Sequence, residues 1–196
     1  LNLRLYIVVS RSLNCGDCSS SHSEKPLRIS SILALASCML LRQLGLALPA
    51  GLLCISPWVD LSLSGESIRE LAAVDPLVSV AWIDSLAGQY CGAEDRRHPL
   101  ISPLYGQFEG FPPILIQLGS DEVLRSEVEQ LHDRLQQAGV TSQLQLAEGM
   151  WHDWPLLGGM MPEADAAINQ AVDFMAGQLG LRHAASHLSQ IQPLAA

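Results

Sequence analysis

Two short apolar runs, Ile114 to Leu118 and Ser142 to Ala147, flank a helix-like segment from Glu122 to Gln137 that stops at Gly139. A strand, a helix and a second strand form a βαβ unit, whose crossover makes the two strands parallel. Each run ends in a polar turn, Gly119-Ser120-Asp121-Glu122 after the first and Gly149-Met150-Trp151-His152 after the second. As neighbours in one sheet the strands would lie about 4.8 Å apart, with Asp121 and His152 projecting from the same carboxyl edge. Open α/β sheets carry their chemistry on that edge.

The rest of the chain repeats the pattern. Leu5 to Val9 and Gly51 to Ile55 read as buried strands, with a helix between them that Ser30 or Ser31 caps and Gly45 ends. Gly65 to Val74 suits a short helix. Val78 to Tyr90 suits an amphipathic one, with Val80, Ile83, Leu86, Ala87 and Tyr90 on one side. Pro99, Pro103, Pro112 and Pro113 punctuate an extended connection, and Pro162 to Leu179 reads as a final helix with Pro near its start. The expected architecture is α/β: a parallel sheet of about four strands flanked by helices, in one domain over residues 1–180. Residues 181–196 have weak periodicity and read as a disordered tail.

Charge is distributed unevenly. Net charge is -9, yet residues 1–50 hold five Lys and Arg against two acids, and residues 51–196 hold six against eighteen. An acidic body argues against nucleic acid or an anionic membrane as partner, because both select basic surface. Ile29 to Leu41 is the longest nearly apolar run, and it is short for a membrane span of roughly 20 residues. The start lacks the basic, apolar and small-residue series of a signal peptide. It also begins with Leu rather than Met, so a piece of a longer protein is expected.

Five cysteines at irregular spacing, Cys15, Cys18, Cys38, Cys54 and Cys91, do not form a disulfide framework, which points to a reducing cytoplasm. Cys15 and Cys18 with His22 look like part of a metal site, but no second pair completes four ligands, so no metal is expected.

Six motifs in order then identify a relationship: Ser56-Pro57-Trp58-Val59-Asp60-Leu61, Asp75-Pro76-Leu77, Ser102-Pro103-Leu104-Tyr105, Gly110-Phe111-Pro112-Pro113, Gly119-Ser120-Asp121-Glu122-Val123-Leu124 and Gly149-Met150-Trp151-His152. Their order and spacing resemble the carboxyl-terminal half of bacterial hormone-sensitive-lipase-like carboxylesterases of the α/β-hydrolase superfamily. The resemblance implies a serine esterase acting on short or medium acyl esters without a cofactor, with Asp121 as triad acid and His152 as general base. Glu122 is the competing carboxylate and ranks second. Trp151, Trp154 and Met150 are expected to shield the pair and line an acyl pocket. The resemblance also leaves open a homodimer packed through the last strand and helix.

The amino-terminal part departs from this pattern. The family's nucleophile sits in Gly-Asp-Ser-Ala-Gly on a sharp strand-to-helix turn, and here that connection is rich in serine and cysteine. Gly16-Asp17-Cys18 imitates the motif too far upstream, and Ser12 follows the strand without a flanking glycine. Cys18 and Ser12 are therefore weak candidates, and the His-Gly-Gly-Gly oxyanion loop is missing. Residues 1–45 read as a divergent segment, such as a misread reading frame or a divergent start would produce. The alternative function is a catalytically inactive hydrolase fragment that serves as a binding or dimerisation module.

Overall fold

A computed structural model describes residues 6–8 and 30–181. Within these, strands β1 (Tyr6–Val8), β2 (Leu52–Ile55), β3 (Ile114–Gly119) and β4 (Ser142–Ala147) form one sheet in the order β1-β2-β3-β4, every neighbouring pair parallel. The helices are α1 (Ser30–Gln43), α2 (Ser67–Glu70), α3 (Val80–Cys91), α4 (Arg125–Gln137) and α5 (Pro162–Gln178). The expected α/β sheet is therefore present, and its strands fall where the apolar runs stand. Cys15, Cys18, His22, Ser12 and the tail beyond Leu181 lie outside the described residues.

Strand side chains alternate between two cores, as a period of two requires. Leu52, Cys54, Ile114, Ile116 and Leu118 face the larger core with Ile32 and Leu35 of α1 and Val128, Leu131 and Leu135 of α4. Leu53, Ile55 and Leu115 face Ala171, Phe174 and Met175 of α5. Strands β2 and β3 are buried throughout because helices cover both faces. Strand β4 is half-exposed along its length.

The differences from the sequence expectation are local. Helix α3 buries Ile83, Ala87 and Cys91, packs Val80 and Leu86 against the same core and leaves Tyr90 exposed, so the expected stripe differs only at its last position. The proline-rich connection contains a single 3-10 turn at Pro103–Tyr105, and a second such turn spans Trp154–Leu157. Helix α4 begins at Arg125 rather than Glu122, because residues 120–124 form a turn that folds back over the end of β3.

Candidate active site

The two turns at the carboxyl edge are tied together by backbone pairing that continues past the strands. Ser120 N–H donates to Ala147 O at 2.9 Å, Asp121 N–H donates to Met150 O at 3.0 Å, and Gly149 N–H donates to Ser120 Oγ at 2.8 Å. Gly149 has φ +70°, a left-handed conformation that costs a glycine little. At Gly119 the other chain passes so close that a Cβ would stand 2.2 Å from Met150 O. Both glycines serve the same end, which is to bring the turn after β3 against the turn after β4.

This docking unites His152 with Glu122 and not with Asp121. His152 Nδ1 lies 3.2 Å from Glu122 Oε2, and both side chains are buried. Asp121 is half-buried, and its Oδ1 accepts from the adjacent Ser120 Oγ at 2.8 Å. Glu122, ranked second among the two acids from the sequence, is thus the carboxylate beside the imidazole, and Asp121 is not. The carboxylate that meets the imidazole is the next one along, and the two neighbours differ in the turn's direction rather than in chemistry.

Glu122 is held on its other oxygen. Oε1 accepts from Ser56 Oγ at 2.7 Å and from Gly119 N–H at 2.5 Å, which leaves Oε2 for the ring. Gly119, Ser56 and His152 approach from β3, the end of β2 and the loop after β4. Charge-assisted bonds of this kind are roughly twice as strong as neutral ones. Asp75, whose role the sequence left unread, supports the turn from below. Its Oδ2 accepts from Val123 N–H at 3.0 Å, and its Oδ1 accepts from Leu77 and Val78 N–H at 2.9 and 3.0 Å. The signal for it was the Asp75-Pro76-Leu77 motif, read only as part of the family resemblance.

The second ring nitrogen has a carboxylate of its own. His152 Nε2 lies 3.5 Å from Asp153 Oδ2, and Asp153 is a non-glycine residue at φ +59°. Burial pulls the imidazole pKa down, but the hydrogen bond and charge of Glu122, followed by the charges of Asp153 and Asp75, outweigh it and raise the pKa above 6.5. An apolar depression flanks the ring, lined by Trp58, Val78, Trp82, Leu86 and Leu124. The expected wall is built otherwise: Trp154 and Met150 pack with Ala164 and Ala167 in a separate cluster under α5, and Trp151 is half-buried.

No group of three or more His, Cys, Asp or Glu among the described residues is arranged to hold a metal ion. The three described cysteines, Cys38, Cys54 and Cys91, are free and buried. Burial pushes the Cys38 thiol up to about 11 and, with a further contribution from Cys38, the Cys54 thiol up to about 12. Neither supplies a thiolate at neutral pH. No helix of the described residues is long and apolar enough to cross a membrane.

A family model described as alpha/beta hydrolase fold matches residues 31–156. An acetyl-hydrolase of Streptomyces hygroscopicus is 38% identical over 143 residues, covering 73% of this chain and 48% of that protein. An esterase of Acinetobacter venetianus is 32% identical over 143 residues, covering 72% of this chain and 47% of that protein. The crystal structure of an esterase from the bacterial hormone-sensitive lipase family superposes with a TM-score of 0.74 at 35% identity, covering 76% of this chain and 50% of that one. The chain thus spans about half the length of these relatives. Over that half, it belongs to the hormone-sensitive-lipase-like carboxylesterases of the α/β-hydrolase superfamily.

Proposed function

We propose that this chain supplies the acid and base of a carboxylic-ester hydrolase, with Glu122 as the acid and His152 as the general base. The observation that carries the reading is the 3.2 Å contact between Nδ1 and a fully buried carboxylate at the sheet's carboxyl edge. A serine hydroxyl becomes a nucleophile when a base accepts its proton, and the base works when a carboxylate fixes its tautomer. Glu122 keeps the ring proton on Nδ1, so Nε2 takes the proton of the attacking hydroxyl and returns it to the leaving alcohol. The acyl group passes to the nucleophile and then to water. No cofactor is needed for either step.

The substrate class is a small acyl ester, in keeping with the names of the relatives and with the apolar depression beside the ring. Asp121, first in rank from sequence, takes a place beside the site as the acceptor of the Ser120 hydroxyl. The free, buried cysteines accord with a reducing cytoplasmic setting. A homodimer through β4 and α5 stays part of the proposal; Leu146, Ile168 and Val172 are exposed there.

The test is hydrolysis of p-nitrophenyl butyrate by the purified chain beside His152→Ala. The reading expects hydrolysis that disappears in the variant, and equal rates would remove His152 from the reaction. A second reading, an inactive binding or dimerisation module, is favoured by one observation. The polar group against Nε2 among the described residues is a carboxylate, which cannot act as the hydroxyl nucleophile. It expects no turnover from either protein.

A further inference from the structure

Ser56 touches Glu122 and the backbone immediately after His152 without belonging to the acid–base pair. It ends β2, is fully buried, and sits at φ +42°, a left-handed conformation unusual for a residue with a side chain. Its backbone N–H donates to Gln117 O at 2.8 Å, so the strand pairing holds it in that conformation. Non-glycine residues kept in such regions cluster where a fold positions functional groups.

The direction of its hydrogen bonds follows from its partners. Asp153 N–H is purely a donor and reaches Ser56 Oγ at 3.0 Å, so the hydroxyl accepts there. The hydroxyl has one proton, and the carboxylate Oε1 of Glu122 at 2.7 Å takes it. One oxygen atom thereby links the carboxylate behind His152 to the backbone immediately after His152. Together with Gly119 N–H, it occupies Oε1 and turns Oε2 toward Nδ1. Full burial and a proton committed to Glu122 exclude Ser56 as the nucleophile.

We propose that Ser56 is a positioning residue for the acid–base pair, fixing the Glu122 carboxylate and the turn after His152 so that the imidazole keeps its proton on Nδ1. This rests on the reading of Glu122 and His152 as acid and base. The hydroxyl, not the unusual backbone, is the part that matters.

Two substitutions separate those parts. Ser56→Ala removes the hydroxyl and keeps a Cβ at positive φ, whereas Ser56→Gly removes the hydroxyl and relieves the backbone. Nitrogen-15 NMR of the His152 ring, recorded above its titration, reports which nitrogen holds the proton. The parent chain is expected to show one tautomer with the proton on Nδ1, and both variants a mixture with the Nε2 form. Ser56→Gly is expected to melt above Ser56→Ala without recovering the tautomer. In p-nitrophenyl butyrate hydrolysis both variants should lose roughly 100-fold in kcat, the order expected of a misplaced catalytic group, with KM changed less than about threefold. An unmixed Nδ1 tautomer in Ser56→Gly, or kcat restored in it, overturns the proposal. If no protein hydrolyses the ester, the esterase reading fails, and the tautomer alone decides the role of Ser56.

Discussion

Glu122 and His152 stand 30 residues apart in the chain and meet through Oε2 and Nδ1 at 3.2 Å, while Asp121, one residue nearer β3, turns its carboxylate to Ser120. The strand supplies the direction and the turn selects the residue. Gly119 N–H donates to Glu122 Oε1, closing a tight loop that points the second acid inward.

Neutralising each acid should separate them. Replacing the triad aspartate by asparagine in a serine protease lowers kcat by roughly 10,000-fold, and Glu122→Gln is expected to lower ester hydrolysis on the order of 1,000-fold or more. Asp121→Asn should stay within about twofold, as substitutions away from buried networks usually do. Steady-state kinetics on both variants checks this, and a larger loss for Asp121→Asn would restore the sequence-based ranking.

The pH dependence has a definite sign. A general base must be neutral, and His152 is raised above 6.5, so kcat/KM should climb with pH through a midpoint above 6.5. Asp153→Asn removes a carboxylate beside Nε2 and should move that midpoint down. For stability, a raised histidine contributes fully below pH 6.5, and the contribution is lost as pH rises through its folded value. A pH-rate profile and a melting series on both proteins read these shifts.

Glu127 is a structural acid of α4. Its Oε1 accepts from Val59 and Asp60 N–H at 2.8 and 3.1 Å, and burial above all pushes its pKa well above the ordinary carboxylate value. Glu127→Gln keeps the acceptor and should unfold within about 1 kcal/mol of the parent. Glu127→Ala leaves two buried N–H groups unpaired, at a cost of about 1–3 kcal/mol for each. Urea unfolding of the two variants distinguishes them.

At Gly119 the limit is space. An added Cβ would stand 2.2 Å from Met150 O and 2.6 Å from its carbonyl carbon, both backbone atoms that cannot swing aside. Gly119→Ala should destabilise by about 1–3 kcal/mol, the range for overpacking. It should also weaken ester hydrolysis by pushing the two turns apart. Thermal unfolding together with kcat checks both effects.

Much of the scaffold was legible in the sequence because burial on both faces leaves a simple trace. Strand β2 stands on a continuous apolar run and β3 on one broken only by Gln117, and α4 follows from its spaced Val128, Leu131 and Leu135. His152 was legible from its motif, and its loop reaches the expected edge. The choice between Asp121 and Glu122 was not, because composition cannot tell two adjacent acids apart. That choice is set by the Gly119 N–H and the Ser56 hydroxyl, partners that come from the turn itself and from another strand. Asp75 was hidden for the same reason, since its contact with Val123 spans 48 residues. Helix α3 departs from its expected stripe at Tyr90, which is exposed while the neighbouring Cys91 is buried.

Covalent trapping tests whether His152, held by Glu122, acts as the general base toward a serine hydroxyl. A fluorophosphonate transfers its phosphonyl group to an activated serine and releases fluoride, and the adduct is located by peptide mass spectrometry. One serine of the parent should be labelled, with the label abolished in His152→Ala, strongly slowed in Glu122→Gln and unchanged in Asp121→Asn. Labelling of His152→Ala at the parent's rate, or an unlabelled parent, would contradict that role of His152.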